Sequence, residues 1–440
     1  MPKDETMFVC SECGNEAAKW SGKCLSCGSW NTLKEFKTPQ AARRGGQADN
    51  TNRGLNPSEA LSIDNIETKN FQRFKTGIEE FDRVLGGGIV PGEVMLLGGD
   101  PGIGKSTLLL QVAANIDNVL YVSAEESQHQ IKLRAERLEV RAKNLQIFTQ
   151  TNVDEIIAKI INAKNKQFSL LIIDSIQTIY DAEFPSTPGS IIQVKECALK
   201  LQQMAKNLNI PMFLIGHVTK DGSVAGPKTL EHLVDLVLYL EGERYHDTRI
   251  LRGIKNRFGA TDEIGVFKMT ERGFSEVKNP SELFLKERME NVPGSVVTAT
   301  LEGTRPFLVE IQALTTPTAF GYPRRTASGF DLNRLQLLIA VLSKRAGINL
   351  TNQDVYLNVV GGFRIDDPAS DLAVCLAIIS AYKNKKIDPA ISAFGEVGLS
   401  GEIRAVNHQE KRVIESKRLG FEKIIKSKTL FEAIKQAIID

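Results

Sequence analysis

From about residue 70 onward, short apolar runs alternate with helix-length stretches. VMLLGG (94–99), NVLYVSA (118–124), LLIID (170–174) and MFLIGH (212–217) read as β-strands, and their alternation with helical patterns predicts an α/β fold built on a parallel sheet. The pattern changes at 278–294. Two extended segments, SVVTATLEG and FLVEIQALTT, then precede amphipathic helices, so a further domain is expected over 291–440. Between Leu332 and Arg345, Leu335, Leu338, Ile339 and Leu342 recur at helical spacing with Asn333, Arg334 and Lys344 between them, the mark of a scaffold helix. Residues 37–60 carry almost no large apolar side chains and are rich in Gln, Asn, Gly and Arg, which predicts a flexible linker.

A chain of 440 residues suggests two or three domains. It has no apolar run long enough to span a bilayer, and its N-terminus lacks a secretory h-region, so a cytoplasmic protein without membrane contact is expected. The net charge of +2 gives no argument for nucleic-acid binding, and any basic surface must be local. Of six cysteines, Cys197 and Cys375 stand alone in helix-like segments and read as small core residues.

The other four cysteines form two pairs, Cys10-x2-Cys13 and Cys24-x2-Cys27. Four thiolates close a tetrahedral shell around one Zn2+, leaving no open position. The ion is therefore expected to be structural, holding residues 1–36 together as a small zinc ribbon. Trp20, Lys19, Lys23 and Trp30 lie in the same segment, either to contact nucleic acid or protein or to pack on the zinc knuckles.

The strand VMLLG leads into Gly99-Asp100-Pro101-Gly102-Ile103-Gly104-Lys105-Ser106-Thr107, followed by the helical LLLQVAANI. This is the context a GxxxxGK[ST] motif needs to bind ATP. Its glycines let backbone N–H groups wrap the phosphates at a helix N-terminus, Lys105 reaches the β and γ phosphates, and Ser106 ligates Mg2+. Asp174 closes an apolar strand at the sheet edge where α/β folds bind ligands, to complete the Mg2+ shell or else to cap the next helix. YVSAEES places Glu125 and Glu126 at the same edge, one of them to polarise the attacking water.

With GGDPGIGKST, YVSAEES and LLIIDSIQT in this order, residues 61–278 resemble the RecA and DnaB class of ring or filament ATPases. IGHVTKDGSVAGPKTLEHLVD and KNRFG (255–259), together with the N-terminal cysteines and the C-terminal domain, are similar to the bacterial RadA (Sms) family over nearly the whole chain. The resemblance favours Glu125 as the base and implies that Lys255 and Arg257 serve a neighbouring subunit's nucleotide, the arginine as a finger in trans. His217 would sense the γ-phosphate. It also implies that the glycine-rich stretch 219–228 is a channel loop whose Lys220 and Lys228 hold the DNA backbone. The expected protein is a DNA-stimulated ATPase and helicase, a homo-oligomeric ring, specifically a hexamer. It would act on single-stranded and branched DNA in repair and recombination beside a RecA-type recombinase.

DPASDLAVCLAIISAY and FGEVGLSGEIRAVNHQEKRVIES in the last domain resemble the Lon protease catalytic domain, an α+β fold. The Lon pattern needs a serine after Gly-Pro and a lysine in a Gly-Gly-x-Lys setting. Here Ala369 follows Pro368 and Glu410 stands at the lysine position. Ser370 and Lys411 lie one residue late, a slip of about 100° on a helix. An inactive scaffold is expected, with Lys385, Lys386, Arg404, Lys411 and Arg412 as its candidate basic surface. The rival readings are an ATP-dependent protease and a RecA-fold signalling ATPase directed at protein.

Overall fold

The computed structural model of the chain describes residues 6–10, 16–17, 19–26, 28, 30–37, 72–140, 145–163, 168–184, 186–217, 229–242, 247–319, 321–361 and 364–438. It divides into two compact units. One comprises Met1–Glu241, Leu251–Thr261 and Met269–Ser275; the other comprises Gly242–Ile250, Asp262–Lys268 and Glu276–Asp440. Among the described residues, no helix is long and apolar enough to cross a membrane.

The N-terminal ribbon is an antiparallel sheet of β1 (Thr6–Cys10), β2 (Glu16–Ala17) and β3 (Leu33–Lys37) in the order β2-β1-β3. Among its described residues the buried interior is small. Cys10, Cys24 and Leu33 are buried, with Phe8 and Ala17 packed against them. So little apolar burial explains why such a segment calls for a metal.

The sheet of the first unit is built on β4 (Val94–Gly99), β5 (Val119–Ser123), β6 (Leu145–Thr149), β7 (Leu170–Asp174), β8 (Met212–Ile215) and β9 (Leu236–Glu241). These run parallel in the order β9-β4-β8-β7-β5-β6, and β10 (Thr248–Asn256), β11 (Ile264–Thr270) and β12 (Gly273–Glu276) continue the sheet past β9. Every residue of β4, β5, β7 and β8 is buried, which is why they read as continuous apolar runs. Among the described residues, five α-helices accompany the sheet: α1 (Glu79–Val84), α2 (Lys105–Ala114), α3 (Gln128–Arg137), α4 (Val153–Ile161) and α5 (Ile191–Leu208). Because the strands are parallel, the C-terminal ends of β4, β5, β7 and β8 open on one edge. Gly99, Glu125, Asp174 and His217 lie at or just beyond those ends. Cys197 is buried in α5, and burial pushes its thiol up to about 12.

The second unit opens with α6 (Pro280–Leu285) and the long antiparallel pair β13 (Ser295–Glu302) and β14 (Arg305–Pro317). β15 (Arg325–Ser328), α7 (Leu332–Arg345), β16 (Gln353–Val359), α8 (Asp371–Lys383) and β17 (Ile391–Ser392) follow. A hairpin of β18 (Glu396–Val397) and β19 (Ile403–Arg404), then α9 (Gln409–Arg418), β20 (Lys423–Ile424) and α10 (Leu430–Ala437), complete it. The main sheet runs β15-β16-β14-β13-β17-β20. α8 is buried along Asp371–Ser380 and carries Cys375, while α7 buries Leu335, Leu338, Ile339 and Leu342, as its spacing predicts.

One expectation fails here. Arg412 does not belong to a basic surface: it is 2% exposed, with Nη1 donating to the Ala299 carbonyl and to Asp367 Oδ2, each at 2.6 Å, and Nε to the Asn407 carbonyl at 3.1 Å. Ser416, one turn on, is buried on the same face, whereas Lys411, Lys417 and Arg418 stay exposed. The reason is a carboxylate 45 residues upstream, which the spacing of basic residues along α9 does not reveal.

Candidate active site

The phosphate loop is shaped by glycines that tolerate no side chain. Gly99 has φ 149° and a Cβ there would lie 2.5 Å from the Leu240 carbonyl oxygen; Gly104 has φ 111° and its Cβ would meet Met269 at 2.6 Å and Phe274 at 2.7 Å. α2 starts immediately at Lys105, and its N-cap Gly104 offers no side-chain oxygen, so the first N–H groups of the helix remain for a ligand. Lys105 is 3% exposed. Its Nζ donates to the Gly99 carbonyl at 2.8 Å and the Asp100 carbonyl at 3.0 Å. Burial lowers its pKa to about 8, against the opposing pull of Asp174, Asp100 and Glu125.

Asp174, 7% exposed at the end of β7, accepts a hydrogen bond from the Tyr121 hydroxyl and is hydrogen-bonded to Ser106. Burial raises its carboxyl, and these two bonds oppose the rise. Ser106 and Asp174 thus bring hard oxygen donors together beside the phosphate loop, a set that fits Mg2+.

The two glutamates part company. Glu125 Oε1 accepts from Ser175 Oγ and lies 3.4 Å from His217 Nε2; the hydrogen bond from His217 is the main cause that holds its carboxyl below the ordinary value. Gln177 in turn donates to the His217 carbonyl at 3.3 Å. Glu126 is tied to Arg134 of α3, away from that group. Glu125 is therefore the one joined to Ser175 and His217, residues at the ends of β7 and β8.

Lys255 and Arg257 find their partners elsewhere. Lys255 Nζ donates to the carbonyls of Glu231 at 2.6 Å and Val234 at 2.8 Å, and Arg257 Nη1 donates to Asp235 Oδ1 at 3.0 Å. Burial lowers the Lys255 pKa. Asp235 is 2% exposed; it also accepts from Lys206 at 3.2 Å and from the Val94 amide at 3.1 Å. Lys220 and Lys228, the whole stretch 219–228 and residues 38–60 of the expected linker lie outside the described residues.

Of the zinc ligands, Cys10 and Cys24 are buried in the ribbon, at the end of β1 and in the turn that follows β2, and Cys10 Sγ lies 3.2 Å from Thr32 Oγ1. Two shielded thiols in a segment with so small a core suit a structural Zn2+. Cys13 and Cys27 lie outside the described residues.

Sequence reading missed Tyr121, Ser175 and Asp235. Each carries a faint signal: a hydroxyl within the apolar VLYVS, a serine directly after Asp174, and a lone acid leading into LVLYL.

Three family models match the chain: a rubredoxin metal binding domain over residues 8–35, an AAA domain over 62–223, and subunit ChlI of Mg-chelatase over 334–429. Among curated proteins, the DNA repair protein RadA of Bacillus subtilis is 51% identical over 431 residues, covering 97% of this chain and 93% of that one. Its namesakes in Halalkalibacterium halodurans and Listeria monocytogenes are 49% identical over 97% of this chain and 50% identical over 96%, with 93% and 92% of their own lengths covered. The middle of the chain is thus an ATPase domain built on a parallel sheet, and a zinc ribbon precedes it in the sequence. Half of all positions are shared across nearly the full length, and the chain belongs to the RadA family of DNA repair proteins.

Proposed function

We propose that the protein is a DNA-stimulated ATPase and helicase that works as a ring, specifically a hexamer, on single-stranded and branched DNA during repair and recombination, beside a RecA-type recombinase. The observation that carries the reading is the assembly of Lys105, Ser106, Asp174 and Glu125 at one sheet edge, taken with the repair role named for the relatives. Lys105 and the first N–H groups of α2 hold the triphosphate of ATP. Ser106 and Asp174 hold Mg2+, which neutralises charge on the phosphates. Glu125, kept ionised and aimed by Ser175 and His217, takes the proton of the attacking water. Arg257 and Lys255 act on the nucleotide of a neighbouring copy, a role supported by their having partners on residues 231–235 and not on their own phosphate loop. Lys220 and Lys228 hold the DNA backbone, and Cys10, Cys13, Cys24 and Cys27 hold a structural Zn2+.

For residues 291–440, a Lon-like scaffold without protease activity is the favoured reading. Ala369 is buried, Ser370 is buried with its Oγ donating to the Asp367 carbonyl at 2.8 Å, and Lys411 Nζ donates to the Thr304 carbonyl at 3.3 Å. A serine activated by lysine needs the two in contact.

The deciding experiment is ATP turnover with and without single-stranded DNA at two salt concentrations. Stimulation that fades with salt supports a DNA motor. Turnover indifferent to DNA overturns that reading and leaves an ATPase directed at protein, and peptide hydrolysis would restore the protease.

A further inference from the structure

The sequence holds two tryptophans in 440 residues, and both lie on the zinc ribbon, exposed: Trp20 at 58% and Trp30 at 70%. An indole has enough apolar area to anchor a core, yet among the described residues the buried interior of this ribbon is made by Cys10, Cys24 and Leu33 without either of them. Both rings border Gly22. A Cβ at that position would lie 3.7 Å from the Trp30 ring and 4.0 Å from the Trp20 ring, so the missing side chain leaves both indoles close to the backbone between them. The turn is fixed by its backbone, with Lys23 bridging Trp30, the Asn31 amide bonded to the Gly22 carbonyl at 2.8 Å and the Gly28 amide to the Cys24 carbonyl at 2.9 Å. Lys23 Nζ sits 5.6 Å from the Trp30 ring centroid, and Lys19 is exposed beside Trp20. Residues 19–32, KWSGKCLSCGSWNT, contain two lysines and no acid.

We infer that Trp20 and Trp30 form a stacking platform for the bases of a single-stranded nucleic acid, with Lys19 and Lys23 flanking the phosphates; the inference rests on the DNA-binding reading above. Two neighbouring indole faces offer π-surface to unpaired bases, which every base accepts, while the lysines supply attraction to a polyanion. Duplex DNA keeps its base faces stacked inside. A protein partner fits less well, since lysine is depleted from the centres of protein–protein interfaces, where such aromatic anchors sit.

The tryptophan count makes the test direct, because all indole emission of the zinc-bound full-length protein comes from this patch. An oligothymidylate is titrated while indole emission is followed, and the anisotropy of the same oligonucleotide carrying a dye is read in parallel. The expected result is quenching that saturates with the anisotropy and shifts with it as salt is raised. Trp20→Ala and Trp30→Ala should each weaken binding about fivefold or more, whereas Trp20→Phe and Trp30→Phe, which keep an aromatic face, should retain most of it. All four variants should keep their zinc and their DNA-free ATP turnover. Anisotropy that rises without quenching overturns the inference, leaves the DNA-binding reading standing and reassigns the patch to a protein partner. If neither signal changes, both fall.

Discussion

Tyr121 and Asp174, 53 residues apart in the chain, meet inside the sheet, the phenolic hydroxyl donating to Oδ2 of the carboxylate. β5 and β7 are neighbours in register, so the hydroxyl holds the carboxylate from one side while Ser106 bonds it as well. Tyr121→Phe removes the donor and keeps the ring. A hydrogen bond to a charged group is worth about 1.5–3 kcal/mol, of which the Ser106 bond preserves a share, so a loss of about 1–2 kcal/mol is expected. It should appear as a roughly tenfold rise in the Mg2+ concentration for half-maximal turnover, together with a fall of about 2–4 °C or more in the thermal midpoint, since the same bond stabilises the nucleotide-free fold. A Mg2+ titration identical to that of the native protein would remove Tyr121 from the site.

Lys105 gives the pH dependence. Its pKa of about 8 means that the ammonium is charged below that value and is lost above it, and the phosphates need it charged. ATP affinity of the nucleotide-free protein should therefore fall as pH rises through 8, and Lys105→Met should bind weakly with a flat profile over the same range. Stability runs the other way. The unfolded chain, with an ordinary lysine, binds more protons between pH 8 and 10.5 than the folded one, so the nucleotide-free fold should gain stability as pH rises through that window. Isothermal titration at several pH values, paired with denaturant unfolding, checks both signs.

Arg257→Ala should spare ATP binding and cut turnover by about a thousandfold or more, the usual loss of an arginine finger. The sharper test is mixing. Lys105→Ala protein is inert at its own loop but supplies Arg257, and Arg257→Ala protein lacks the finger but has a sound loop. If the arginine acts on a neighbour, the mixture should hydrolyse ATP where neither variant does alone; if it acts within one chain, mixing restores nothing.

The buried pair Arg412–Asp367 predicts a stability effect with no counterpart at Lys411. Arg412→Ala leaves Asp367 without the guanidinium and opens a cavity, a loss of about 3–5 kcal/mol. Lys411→Ala, on the exposed side of the same helix, should change stability by less than about 0.5 kcal/mol. Denaturant unfolding of the two variants separates the cases.

Which parts were legible follows from how far each signal reaches along the chain. The P-loop and Asp174 could be read because a glycine pattern between strand and helix and an acid closing an apolar strand are local signatures, and the structure brings Lys105, Ser106 and Asp174 to one place. Helix α7 was legible to its ends because its apolar period is unbroken. Glu125 and Glu126 look alike in sequence, and only Ser175, His217 and Arg134, each from another element, tell them apart. Arg412 escapes the sequence for the same reason: beside Lys411, Lys417 and Arg418 it reads as part of a basic surface until a carboxylate from a distant segment is set against it. Tyr121 and Asp235 act through partners that no local pattern names.

Lys105 does not wait for its ligand as a bare cation. With its ammonium on the carbonyls of Gly99 and Asp100, Lys105 must exchange two hydrogen bonds to reach an arriving triphosphate, while the first N–H groups of α2 stand ready for it. The exchange leaves the number of bonds nearly level, so what the site gains is the difference between neutral carbonyl dipoles and anionic phosphate oxygens. A neutral molecule that reaches the loop can match the carbonyls but not improve on them. Selectivity for charge is thus set before any nucleotide arrives, by what the lysine already holds.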